Sequence, residues 1–362
     1  MSADSSPPKA HAPATAHKGR GAVSDLPGRF ATQQVEMDEP PTDIAPETVL
    51  RAMQARKIIS HNQSPDIPFD HSINPYQGCE HGCVYCYARP SHSYLDLSPG
   101  LDFETQIFYK PNAVARLLAE WEKRSYVCEP ITIGANTDPY QPAEKKLGIT
   151  RDLLEAFLQH RHPVSLITKG GLMMRDLDVL SALAERNLVS VAVSVPTADA
   201  ALKRILEPRI PSAETRFRLI EALRDAGVPV SLLLAPVIPA VNDAEIESII
   251  ERAAACGVSH ASWILLRLPN ELKQIFREWL ATHMPERAGH VMSLLRQASG
   301  NRDYDNRFGI RQRGRGPYAQ MIDKRFQAAC RRFRIGSGRS RQALDCKSFT
   351  APGQRQMALG FD

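Results

Sequence analysis

The sequence predicts an α/β fold on a mainly parallel sheet, either doubly wound or curved into a barrel. Three observations point there. Short apolar runs recur down the chain, amphipathic helical stretches separate them, and the runs lack the polar alternation of a sheet with one wet face. A parallel strand is covered on both faces by its crossover helices, so it reads as a continuous apolar run. A helix over 112–123 precedes "PITIGAN" (130–136), and a helix over 150–159, with Thr150 as its N-cap, precedes "PVSLITKGG" (163–171). A helix over 176–186 leads into "LVSVAVSVP" (188–196). One over 213–225, closed by Gly227, leads into "VPVSLLLAPVIP" (228–239), and one over 243–256 leads into "HASWILLRLP" (260–269). With a strand at 71–76 this makes six strands, and right-handed crossovers wind them into a sheet or barrel.

The flanks read differently. Residues 1–48 are rich in Pro, Ala, Ser and Thr, and are expected to be a disordered tail. Residues 49–70 form a lead-in, 71–285 the core, and 286–362 a helical, basic extension with a flexible end. Of the 362 residues, 43% are hydrophobic and 23% charged, as in a globular protein, and no apolar run approaches the roughly 18 residues that span a bilayer. The N-terminus has no apolar signal core, so the expected location is cytoplasmic and no membrane partner is expected. The net charge of +5 is uneven: residues 301–341 hold twelve Lys/Arg and three Asp/Glu, leaving the rest of the chain mildly acidic. Such a segment either binds a polyanion, nucleic acid included, or is a solvated surface with charges paired among themselves.

The chemistry concentrates in "NPYQGCEHGCVYCYARPSH", 74–92, where Cys79, Cys83 and Cys86 fall within eight residues. In a reducing compartment such a cluster points to a metal rather than to disulfides. A structural zinc needs four ligands, which His71, His81 or His92 would have to complete. A cubane iron–sulfur cluster held by three cysteines instead leaves one iron open for a cosubstrate. The incomplete set is a defect in the first case and an advantage in the second.

Cys79-x3-Cys83-x2-Cys86, with Tyr85 before the third cysteine, resembles the signature of the radical S-adenosylmethionine (radical SAM) superfamily over roughly residues 70–285. Within it, "NTDPYQPAE", "LITKGG", "RILEPR" and "LLLAPVIPAVND" are similar to the branch of spore photoproduct lyase and its bacterial relatives. The resemblance implies a partial (β/α)6 barrel with the cluster at the C-terminal ends of the strands. It also implies a [4Fe–4S] cluster on Cys79, Cys83 and Cys86, with S-adenosylmethionine chelating the open iron. Reductive cleavage to a 5′-deoxyadenosyl radical, which abstracts hydrogen from an unidentified substrate, would follow. An electron donor of flavodoxin or ferredoxin type is then a partner.

The same resemblance suggests the cosubstrate contacts: Thr137 and Asp138 for the ammonium, Lys169 for the carboxylate and Ser194 for the ribose. Each also has a plainer reading, as turn residues, a strand-exit lysine and a core serine. Glu207, Arg209 and Arg216 read as ion pairs near the mouth or as substrate contacts, and Asn242 and Asp243 as helix caps. Tyr76, Tyr85 and Tyr87 would shield the cluster or simply pack. Cys128 and Cys256 read as buried apolar residues, and Cys330 and Cys346 as thiol donors or bystanders. The lyase's hydrogen-donating cysteine has no counterpart between Gly134 and Tyr140, which leaves the substrate open. Two other readings compete with the enzyme: a zinc- or cluster-stabilised nucleic-acid-binding module, and a redox-sensing cluster.

Overall fold

The computed structural model describes residues 16–30, 47–338 and 343–353. The chain enters through β1 (Val49–Ala52), β2 (Ile59–His61), β3 (His71–Ile73), β4 (Tyr76–Gln77), α1 (Asp102–Thr105) and β5 (Gln106–Tyr109). Strands and helices then alternate through α2 (Ala113–Trp121), β6 (Ile131–Ile133), α3 (Glu144–Leu147), α4 (Ile149–His160), β7 (Val164–Thr168), α5 (Leu177–Ala184) and β8 (Val189–Ser194). After α6 (Ala200–Leu206) and α7 (Ala213–Asp225) come β9 (Val230–Val237), α8 (Ile246–Ala255) and β10 (His260–Leu265). The chain continues through α9 (Leu272–His283), α10 (Pro285–Ala298), α11 (Gly316–Arg332) and β11 (Gly336–Ser337).

The large sheet runs β11-β10-β9-β8-β7-β6-β3-β2. Strands β3 and β6 to β10 are the six expected ones, and each pairs in parallel with its neighbours. β2 caps one edge antiparallel to β3, and β11 caps the other parallel to β10. The two edges do not pair with each other, so the sheet is an open, partial barrel. Burial shows why these segments form strands. In β9 the residues facing one side (Val230, Leu232, Leu234) are fully covered and those between them are half-covered, so both faces lose water. Helices show one apolar stripe: Ala113, Leu117 and Trp121 lie four apart on the buried face of α2.

Several local expectations change. The strand foreseen at 71–76 breaks in two, and β4 leaves to join a small sheet ordered β1-β5-β4. Thr150 lies inside the first turn of α4 rather than capping it. Its backbone N–H donates to the Glu144 carboxylate at 2.9 Å and its hydroxyl to the Pro139 carbonyl at 2.7 Å. Asn242 and Asp243 do not cap with their side chains: buried Asn242 binds Ile238 N, Pro196 O and Pro236 O, and Asp243 accepts from the Tyr318 hydroxyl. Gly227 closes α7 as expected, at φ 74°, where a side chain would be strained.

Part of the span read as a tail is docked. Within residues 16–30, Ala22, Val23 and Leu26 are buried in a second core with Cys83, Val84, Tyr85, α6, α9 and α10. Residues 1–15 and 31–46 of that span lie outside the described residues. At the other end Thr350 exchanges hydrogen bonds with His160, and Phe349 packs with Trp121, Tyr126 and His162, so 343–353 is anchored as well.

The basic segment is divided. Arg307, Arg311, Arg313 and Arg325 are paired with Asp305, Asp66, Asp323 and Glu247. Exposed Arg331, Arg332 and Arg334 sit by β11, whose Gly336 is level with His260 at the start of β10. That is the end of the sheet opposite the cysteine loop.

Candidate metal and cofactor site

The cysteine loop follows β4 and lies over the C-terminal ends of the strands, where loops from successive strands converge. All seven cysteines are free thiols, and Cys79 and Cys83 are buried. The three loop thiols are close enough to act on one another electrostatically. Burial pushes the Cys83 thiol up, the negative Glu207 adds to this, and Lys169 opposes it. Burial, with the charge of Cys79, raises Cys86 to about 11. Cys83 and Cys86 therefore resist ionisation until a cation arrives, so metal binding there releases protons.

Thr137 and Asp138 sit under the loop. Thr137 donates from its hydroxyl to the Gly78 carbonyl at 2.8 Å, beside Gln141, which donates to the same carbonyl and accepts from Glu80 N. Asp138 accepts from the Thr168 hydroxyl (2.7 Å), Lys169 N (2.8 Å) and Tyr140 N (2.9 Å). Its second oxygen lies 3.3 Å from His81 Nδ1. Burial opposes a charge on His81, but Asp138 and then Cys79 raise it to about 10, so a cation sits beside the first cysteine. Both residues thus already tie the β6 exit to the cysteine loop and to β7.

Lys169 and Ser194 meet. Lys169 Nζ donates to the Ser194 hydroxyl and to the Ala235 carbonyl (3.1 Å), lies 3.7 Å from Glu207, and stands over the Tyr85 ring at 5.7 Å. Glu207 is fully buried, accepts from the Tyr85 hydroxyl and pairs with Arg216 at 2.9 Å, both side chains being 0% exposed. Burial would raise the Glu207 carboxyl, yet Arg216 and Lys169 hold it below the usual range. Two cations facing one carboxylate leave a net positive charge beside Cys83, which suits an incoming carboxylate. Arg209 is the weaker partner, paired with Glu80 at 3.1 Å.

Of the aromatic residues, Tyr76 donates to Glu144, away from the thiols, and half-exposed Tyr87 donates to the Ala135 carbonyl under Arg267. The sequence did not single out Arg89, Glu104, Gln141 or Arg267. Arg89 is buried, donates to the Cys83 carbonyl at 2.9 Å and ion-pairs with Glu104. A charged residue inside a cysteine loop was the one available signal for it.

A family model for the radical SAM superfamily matches residues 73–253, half of the chain. The chain belongs to the radical SAM superfamily. An uncharacterized protein of Mycobacterium tuberculosis is 37% identical over 233 residues, covering 64% of this chain and 68% of that one. An uncharacterized protein of Methanocaldococcus jannaschii is 27% identical over 193 residues, covering 53% and 69%. A spore photoproduct lyase mutant superposes with a TM-score of 0.60 at 15% identity, over 86% of this chain and 87% of that one. Another, with bound AdoMet and dinucleoside spore photoproduct, gives 0.60 over 84% and 86%. At that identity the likeness establishes the shared fold.

Radical SAM proteins use a [4Fe–4S] cluster and S-adenosylmethionine, and this chain is accordingly an enzyme of that superfamily. The residues present fit those groups in their chemistry: three free thiols within electrostatic reach of one another, with the Lys169 and Arg216 cations facing Glu207 beside Cys83. Of the histidines a zinc site would borrow, His71 is engaged with Glu129 and His92 with the Gln106 carbonyl, while His81 lies between Asp138 and Cys79. No described helix is long and apolar enough to cross a membrane.

Proposed function

We propose that Cys79, Cys83 and Cys86 ligate the [4Fe–4S] cluster, and that Lys169 and Ser194, backed by Thr137 and Asp138, form the S-adenosylmethionine subsite. The observation carrying this is the meeting of three free thiols, Cys79 and Cys83 buried and Cys86 partly so, with the Lys169–Ser194–Glu207 group at the strand ends. When bound, cluster and cosubstrate supply one-electron cleavage of the sulfonium and hydrogen-atom abstraction from substrate.

The chain's own residues do the rest. Lys169 offers its ammonium to the methionine carboxylate, and Glu207, fixed by Arg216, keeps that lysine aimed at the mouth. Ser194 has an oxygen for a ribose hydroxyl. Thr137 holds the loop backbone at Gly78 and Asp138 holds the β7 exit at Lys169 N, so their part is to set the shape of the ammonium end rather than to move toward it. Tyr85 covers the lysine side of Cys83 and excludes water. The electron comes from a flavodoxin- or ferredoxin-like donor, in a reducing cytoplasm.

For the substrate, we propose a phosphate-bearing molecule of the nucleic-acid class. Arg267, just past β10 at the mouth, supports this: its Nε has no hydrogen-bond partner among the described residues, while its guanidinium stands 5.2 Å over Tyr87. The lyase of like fold was solved with a dinucleoside photoproduct. Binding to an oligonucleotide should weaken steeply with salt and weaken again in Arg267→Ala; a flat salt response rejects this substrate class.

The enzyme reading is tested by anaerobic reconstitution followed by detection of 5′-deoxyadenosine. Wild type should produce it under reductant and Cys83→Ala should not. Iron without 5′-deoxyadenosine would favour the redox sensor, and stoichiometric zinc without iron the binding module.

A further inference from the structure

The cysteine loop is clasped from outside by residues 20–24, which lie more than fifty residues before it in sequence. The fully buried Glu104 carboxylate is the hub. It accepts from Gly21 N (3.0 Å) and Ala22 N (2.9 Å), and it pairs with Arg89, whose Nε donates to the Cys83 carbonyl. Arg20 Nη1 returns a bond to the Glu104 carbonyl at 2.9 Å. Gly21 lies flat on the loop: a Cβ built there would stand 1.8 Å from the Gly82 carbonyl oxygen and 3.1 Å from Val84 N. Ala22, Val23 and Leu26 then bury against Cys83, Val84 and Tyr85. A buried carboxylate between one guanidinium and two amides is fully matched only while the segment stays docked, so undocking exposes an unsatisfied charge.

Resting on the cluster assignment above, we propose that residues 20–24 and Glu104 form a positioning strap that preorganises Cys79, Cys83 and Cys86 for the cluster. The strap touches the back of the loop, and its effect is to hold the Cys83 backbone in the conformation that presents the thiol.

Gly21→Ala tests this in the full-length chain, since a single methyl group must displace the Gly82 carbonyl while the barrel core is untouched. In the metal-free protein, alkylation of each cysteine is followed by mass spectrometry. The variant should modify Cys79, Cys83 and Cys86 about tenfold faster than wild type, the signature of local opening, with Cys256 and Cys330 unchanged. Reconstituted iron per chain should fall, and iron loss to a chelator should quicken. Glu104→Gln should act in the same direction, while Arg29→Ala, which removes a surface ion pair with Glu271 and contacts over the exposed Phe30 and Tyr94 rings, should match wild type. Wild-type labelling and iron in Gly21→Ala overturn the strap. Equal acceleration at Cys256 and Cys330 overturns it too, because the segment would then support the whole fold. A wild-type chain that takes up no iron defeats the cluster assignment instead, and the labelling pattern still decides the strap.

Discussion

Replacing Arg216 by Met should destabilise the metal-free protein by about 3 kcal/mol, because it strips a fully buried carboxylate of its closest cation. The ion pair is 2.9 Å long with both side chains 0% exposed, and Arg216 also donates to the Ser194 carbonyl at 3.0 Å. Breaking such a pair from one side typically costs about 3–5 kcal/mol. Lys169 remains 3.7 Å from Glu207, which places the loss at the lower end of that range. A chain of 362 residues has an unfolding entropy of about 0.8 kcal/mol/K, so the melting point should fall by about 4 °C. The sign with pH is also set. In wild type Glu207 is held below its usual value, so its contribution is present at neutral pH and lost as pH falls through the carboxylate range. Without Arg216 burial pushes its pKa upward, and the variant's deficit should shrink as pH falls and the carboxyl takes a proton. Urea unfolding across pH measures this. Adding Glu207→Gln should restore the protein to within about 1 kcal/mol of wild type, since no buried charge is then left alone. A deficit below about 1 kcal/mol, or a double variant no better than the single, would refute the reasoning.

Other outcomes follow from the same geometry. Lys169→Met should weaken S-adenosylmethionine binding by about tenfold or more, the usual worth of a charge-assisted hydrogen bond, in equilibrium binding to reconstituted protein; an unchanged Kd removes Lys169 from the subsite. His162 and His92 are buried and held neutral, chiefly by burial, each with its pKa lowered from 6.5 to about 4. Their contribution is therefore intact above pH 6.5 and lost as pH falls from 6.5 toward about 4, by up to about 3 kcal/mol each. His162 stacks on Trp121 at 4.7 Å, so His162→Phe should keep the packing and flatten the acid limb of the stability curve. An acid limb as steep as wild type would contradict this.

Five of the six central strands, β6 to β10, were legible because burial on both faces writes an apolar run that needs no partner to be recognised, whereas β3, "HSI", carries no such run. β1, whose residues are mostly exposed, and three-residue β2 carry no such mark; they exist because a neighbour offers an edge. The three cysteines were legible because their spacing is local. Thr137 and Asp138 follow the exit of β6, and their bonds to the Gly78 carbonyl and Lys169 N depend on contacts across the sheet. "RGAVSDL" reads like the Pro- and Ala-rich sequence around it, and contacts far off in sequence, Glu104 and the second core, give it a place. Arg89 and Glu104 escaped notice for the same reason: a buried ion pair is a property of the assembled loop.

The central claim is that the three-cysteine loop leaves one iron for S-adenosylmethionine, and electron paramagnetic resonance of the reduced, reconstituted protein tests it most directly. A [4Fe–4S]+ signal that changes shape when S-adenosylmethionine is added, and that is lost in Cys83→Ala, is the predicted result. A signal indifferent to S-adenosylmethionine, or a protein that takes up zinc and no iron, would contradict it.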